Sequence, residues 1–135
     1  LKTEGAFHTF YMITAALHFR PVLDAAAMAA PTIRVLSNYS GTHHESDPAT
    51  IKTRLFFQLF HPVNWIGNLQ TAFADGIGTI VEFGGGLGSG PNPADKRPNL
   101  EGMVKKALRG TDYSVQHHAA INSQTLREAA ETLKS

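Results

Sequence analysis

The sequence predicts an α/β fold, helix-rich and with few strands, and three observations carry that prediction. Apolar residues recur at helical spacing in several segments, two short β-branched runs are bounded by breakers, and the two kinds of segment alternate along the chain. At 135 residues this is one domain or a piece of one. An apolar share of 42% is enough for a core, while a charged share of 17% is low and implies surface buried against a further segment or a partner.

Residues 9 to 29 are predicted as helix, with Met12, Ile13, Ala16, Leu17 and Phe19 on its apolar face and Thr9 as N-cap. Pro21 inside this pattern predicts a kink or split, and Pro31 ends the segment. Ile33-Arg34-Val35-Leu36-Ser37 reads as a short strand. After a polar loop, Ser46 or Asp47 caps a helix from about Ala49 to Phe60, with Pro48 near its first turn. Pro62 breaks that helix. A further one is predicted from Asn64 to Ala74, with Asp75-Gly76 as its stop.

Thr79 to Phe83 is the second strand, followed at once by the glycine run Gly84 to Gly90. A helix near Leu100 to Leu108 stops at Gly110, Tyr113-Ser114-Val115 reads as a third short strand, and Thr125 to Lys134 forms a terminal helix. So few strands make a poor sheet alone. The chain does not begin with Met, and Leu1-Lys2-Thr3 reads as the end of a strand in progress, so the expectation is a portion of a longer domain.

Composition narrows the function. A formal net charge of +1 argues against a dedicated nucleic-acid or acidic-membrane binder. With no cysteine, there is no disulfide framework, thiolate nucleophile or thiolate metal site, which is compatible with a cytoplasmic setting. No apolar run approaches the roughly 20 residues of a membrane span, and no signal peptide stands at the front.

His8 is the principal candidate for chemistry. The small residues of Gly5-Ala6-Phe7-His8 leave its ring accessible at a helix start, and histidine can act as a general base near neutral pH. The other reading of His8 is an inert, hydrogen-bonded histidine. The glycine run suggests a phosphate cradle, yet it matches neither the dinucleotide nor the P-loop spacing, and a flexible turn allowing close backbone approach is the other reading. His43-His44 and His117-His118 are adjacent pairs whose rings diverge, so no metal site is predicted. Ser89 lacks a strand–elbow–helix context, so no Ser–His pair can be assembled within the chain. Lys96, Arg97, Lys105, Lys106 and Arg109 form a basic stretch, read as a solvated face that could also meet an acidic carrier or phosphates.

These motifs, in this order, resemble the C-terminal part of the malonyl-CoA:acyl-carrier-protein transacylase family, which includes acyltransferase domains of polyketide synthases. Gly5-Ala6-Phe7-His8 with Met12 resembles its catalytic histidine motif, and Pro31 to Asn38 resembles the strand after the next helix. Gln58-Leu59-Phe60-His61-Pro62-Val63-Asn64-Trp65 is similar to the family's Q-L-x-x-P-V-x-W. Val81-Glu82-Phe83-Gly84-Gly85-Gly86 stands where the family has a strand ending in E-x-G-P-G. The departures are Asn64 in place of a frequent arginine, Gly85 in place of a proline, and a longer, proline-rich stretch from Gly88 to Gly102.

The resemblance implies that residues 1–135 are a partial acyltransferase domain, the return of the chain into a doubly wound large subdomain. It implies ping-pong transfer of malonyl from coenzyme A to the phosphopantetheine thiol of an acyl carrier protein, without a cofactor. His8 would be the base, and the backbone carbonyl of Gln58 would orient it. Phe7 would select malonyl over branched groups, and Gly84, Gly85 and Gly86 would lie at the substrate. The serine elbow would be supplied by a missing N-terminal half of the same domain, so the isolated chain is expected to be inactive. The alternatives are a non-catalytic structural or docking module of a fatty acid or polyketide synthase, and a phosphate or nucleotide binder using Gly84 to Gly90.

Overall fold

The computed structural model describes residues 5–134, and the strand end expected at Leu1-Lys2-Thr3 lies outside the described residues. Among the described residues helices dominate, with one small parallel sheet of two strands, so the α/β expectation holds in its helix-rich, strand-poor form. The chain divides into two compact units, one ending at Thr71 and the other beginning at Ala72.

In the first unit, a 3-10 turn at Phe10–Met12 leads into α1, Ile13–Ala25. Pro21 neither splits nor ends α1, contrary to the sequence expectation. Proline removes one N–H from the ladder, but its own ring stays exposed while Ala16 and Leu23 are buried on the opposite face. Those two residues pack with Phe56 of α2, Pro48–Gln58, and this burial holds the helix across the defect. Leu55, Phe57, Leu59 and Phe60 complete the cluster. The first helix stops at Ala25, earlier than the predicted residue 29.

Asp47, not Ser46, caps α2. Its carboxylate accepts from the Thr50 N–H at 2.8 Å, the Ala49 N–H at 3.4 Å and the Thr50 hydroxyl at 2.7 Å. These bonds, led by the Thr50 hydroxyl and then the Thr50 amide, hold the Asp47 carboxyl below its usual range.

The strand predicted at residues 33–37 is not a strand. Leu36 forms an isolated antiparallel bridge to His43, and the segment turns back on itself through Ser37 N–H to Thr42 O and His44 N–H to Val35 O, both 2.8 Å. The β-branched residues that suggested a strand, Ile33 and Val35, are exposed here rather than packed on a sheet face. Arg54 ties this loop to α2, donating to His43 O at 2.6 Å and to Glu45 at 2.7 Å. Asn64 stands before α3, Trp65–Ala74, and accepts from Gly67 N–H at 3.1 Å.

In the second unit, β1 (Thr79–Phe83) pairs in parallel with β2 (Gln116–Ala120), in the register Thr79 with Gln116 through Phe83 with Ala120. The strand expected at Tyr113-Ser114-Val115 lies just after it, as β2, and contains the His117-His118 pair. Tyr113 instead lays its ring near Phe73, with centroids 5.6 Å apart. Asn122 caps α5, Ser123–Thr132, which packs against β2. The Gly84–Gly90 loop folds onto its own unit, where Leu87 and Arg97 form an antiparallel bridge. Helix α4, Glu101–Ala107, follows. Phe73, Val104, Ala120, Ile121 and Ala129 are buried.

Candidate functional site

His8 is held twice to the C-terminal end of α2. Its backbone N–H donates to Leu59 O at 3.1 Å, and its ring Nδ1 lies 2.8 Å from Gln58 O. These carbonyls lie in the last turn of a helix, where acceptors have no partner within the helix itself. A carbonyl can only accept, so Nδ1 carries the proton and the neutral ring keeps its lone pair on Nε2. That is the tautomer a general base working through Nε2 requires.

The backbone at His8 is unusual. With φ of 62° it is the one non-glycine residue in the left-handed region among the described residues. Such a conformation costs on the order of 1–3 kcal/mol and persists where the surroundings over-determine it. At His8 they do so through the two bonds to α2 and a third beside it, from the Thr9 hydroxyl to Ala6 O at 2.6 Å.

His8 and Gln58 line a cavity of about 240 Å³ whose other walls are Phe19, Leu23, Leu55 and Leu59. Phe7 is half exposed, with its ring turned back over Gly5, where a Cβ would stand 3.0 Å from it.

The predicted glycines belong to the second unit. Gly84 and Gly85 have open space around them. Gly86 has φ of +65°, and a Cβ there would stand 2.8 Å from Ile121 Cδ1 and 2.9 Å from Arg97 O. Gly88 and Gly90 crowd against Asp95 in the same way. From Gly86 onward the run is thus used for close packing of the loop on itself.

Three contributors were not visible in the sequence reading. Leu59 acts through its carbonyl. Thr9, read as an N-cap, makes no side-chain bond into the 3-10 turn and reaches back to Ala6. Glu82, noted only as part of a motif, is a buried carboxylate that accepts from Asn99 N–H at 2.6 Å and Leu100 N–H at 2.9 Å, with His117 Nε2 3.1 Å away. A charged residue in the middle of a strand was the available signal for Glu82. His44, facing Val35, Ile51 and Leu55 in another apolar recess, has its imidazole pushed below the ordinary value by burial and then by the Arg54 charge. No group of metal-ligating side chains is present among the described residues, and none of their helices is long and apolar enough to cross a membrane.

Comparison with known proteins places the chain beside the C-terminal portion of malonyl-CoA:acyl-carrier-protein transacylases. It is 31% identical over 134 residues to the malonyl CoA-acyl carrier protein transacylase of Bacillus subtilis, covering 99% of this chain and 37% of that protein. The MCAT of Mycobacterium tuberculosis superimposes with a TM-score of 0.70 at 31% identity, over 96% of this chain and 38% of that one. A malonyl-transacylase solved in complex with its type II PKS acyl-carrier protein shares the fold, with a TM-score of 0.78 at 21% identity, over 98% of this chain and 38% of that one. No family model matches the chain. The chain spans little more than a third of the length of the relatives it matches.

Proposed function

We propose that this chain is the histidine-bearing portion of an acyltransferase that moves malonyl from a coenzyme A thioester to the phosphopantetheine thiol of an acyl carrier protein. One observation carries the reading: the imidazole of His8, anchored by Nδ1 to Gln58 O at 2.8 Å, presents an Nε2 lone pair from a strained turn. The similarity to named transacylases over 99% of the chain supports the reaction class.

In this reading Nε2 of His8 takes the proton of a serine hydroxyl as that oxygen attacks the thioester carbonyl, and coenzyme A leaves as its thiol on receiving that proton. The acyl-serine then passes malonyl to the carrier. His8 takes the carrier thiol's proton, the thiolate attacks, and the proton returns to the serine oxygen. The carbonyl end of α2 carries partial negative charge, which suits the imidazolium formed between these transfers. The serine is supplied by a complementary N-terminal half of the domain, so the 135 residues alone do not turn over. Phe7 restricts the acyl group to malonyl.

The test is malonyl transfer to a phosphopantetheinylated carrier, measured with the protein extended by the residues encoded before Leu1 and with the isolated chain alongside. Transfer by the extended protein and none by the isolated chain is expected. A malonyl mass shift on the isolated chain, or no transfer by an extended protein that is folded and carries a serine elbow, overturns the reading.

A further inference from the structure

We propose that Thr9 is a positioning residue for His8, its hydroxyl closing on Ala6 O at 2.6 Å the turn that keeps His8 at φ 62°. The proposal rests on the reading of His8 as the base and adds a residue that acts through it.

Residues 6–9 bend the chain with Phe7 and His8 at the centre. A turn with its third residue at positive φ is ordinarily built with glycine or asparagine there. Histidine occupies that place, so the turn needs support from outside its own backbone preference. The chain turns at Phe7 and His8, and the Thr9 hydroxyl adds a side-chain bond across that turn, donating to Ala6 O at 2.6 Å. It therefore spans the two residues whose conformation decides where the imidazole lies.

The rest of Thr9 is placed for this task. Its backbone is extended, at φ −130° and ψ 162°, and its carbonyl accepts from Met12 N–H at 3.0 Å, starting the 3-10 turn. It thus joins the bend to the helix. The hydroxyl is free to cap that helix start, yet it makes no such bond. A β-branched side chain has few χ1 choices, so the hydroxyl is held in its direction toward Ala6. With the turn closed, the His8 N–H meets Leu59 O and Nδ1 meets Gln58 O together. If the turn loosens, the ring loses the second bond first, because that bond depends on φ at His8 as well as on the side-chain torsions.

The experiment is long-range proton–nitrogen NMR of the uniformly labelled chain, with the His8 signals assigned by their loss in His8→Asn. The wild-type chain should show the Nδ1–H tautomer of the neutral His8 ring. Thr9→Val keeps the side-chain shape and removes the donor. It should lower the ratio of Nδ1–H to Nε2–H tautomer roughly two- to tenfold, the worth of one hydrogen bond in an equilibrium. Thr9→Ser keeps the donor and should restore the wild-type ratio.

An unchanged ratio in Thr9→Val overturns the proposal, as does a Thr9→Ser chain shifted as far as Thr9→Val. Unfolding of either variant also counts against it, since Thr9 would then serve the fold rather than the ring. Tautomer ratios need no turnover. A chain that behaves as expected here, while His8→Asn leaves transfer by the extended protein intact, would sink the base assignment and leave the positioning role standing.

Discussion

The imidazole of His8 donates from Nδ1 to the backbone carbonyl of Gln58 at 2.8 Å, across a separation of 50 residues. The bond joins the turn before α1 to the end of α2. It fixes the ring by a main-chain atom, which no substitution at position 58 removes outright. The proton-accepting nitrogen is then set by the fold of the first unit. His8→Asn tests what that ring does. Asparagine tolerates positive φ better than most residues, so the turn should survive. Transfer by the extended protein should fall by about two to four orders of magnitude, the usual worth of a general base. Initial rates, with circular dichroism as the fold control, decide it.

The N-terminus of α2 offers a second test at the opposite end of the same helix. Asp47 holds two backbone N–H groups and the Thr50 hydroxyl. Asp47→Ala should lower the urea midpoint of the first unit. The folded carboxyl sits below its usual range, so its stabilising effect is full above the unfolded value of about 3.9 and fades as pH falls through the folded value. The difference between wild type and Asp47→Ala should therefore shrink below about pH 4.

His44 gives the opposite group type with its own sign. Burial, then the Arg54 charge, lowers its pKa in the folded chain. In the window just below the ordinary histidine value of about 6.5, the unfolded chain binds more protons, so stability rises with pH. Above that window both states are neutral and the effect vanishes. Urea midpoints should drop between pH 7.5 and 5.5, and His44→Gln should flatten that slope. A slope unchanged by His44→Gln would place its origin elsewhere.

What the sequence made legible, and what it hid, divides along physical lines. Local chemistry was readable: Asp47 before Pro48 announces a helix start, and Asp75-Gly76 announces a stop, because caps are decided within a few residues. Gly76 does adopt φ of +82°. The pairing of Gln116–Ala120 was not readable, since Gln-His-His-Ala-Ala has no β-branched residue and becomes a strand only because β1 lies alongside. Likewise Pro21 looked disruptive because burial of Ala16 and Leu23 is a tertiary fact. His8 was found by its neighbours in sequence, whereas its φ of 62° and the Thr9 bond exist only once the turn is built.

Glycines in the second unit can be separated by substitution. Gly86→Ala places a Cβ against Ile121 and Arg97 O at a positive φ, and should cost about 1–3 kcal/mol. Gly102 lies inside α4 with nothing within 4 Å of the built Cβ. Gly102→Ala should raise stability by about 0.5–1 kcal/mol through helix propensity. Denaturation midpoints moving in opposite directions would bear out both placements, and a neutral Gly86→Ala would mean that the loop does not pack as described.

Glu82 is the sharpest test of how the second unit is held. Its side chain is only 4% exposed, and both carboxylate oxygens are used, one on Asn99 N–H and the other on Leu100 N–H, immediately before α4. His117 Nε2 stands 3.1 Å from the second oxygen, bringing β2 to the same point. Glu82→Gln keeps the size but replaces one acceptor by an NH₂ group, so one backbone N–H faces a donor. Leaving a buried donor unsatisfied costs about 1–3 kcal/mol, and the loss falls on the entry to α4. Amide exchange of Met103 and Val104, whose N–H groups bond to Leu100 O at 2.9 and 3.0 Å, should then speed up by more than that of α1. Equal acceleration in α1 and α4 would mean that Glu82 supports global stability without anchoring this helix, and no acceleration would mean that the two carboxylate bonds contribute nothing that water cannot replace.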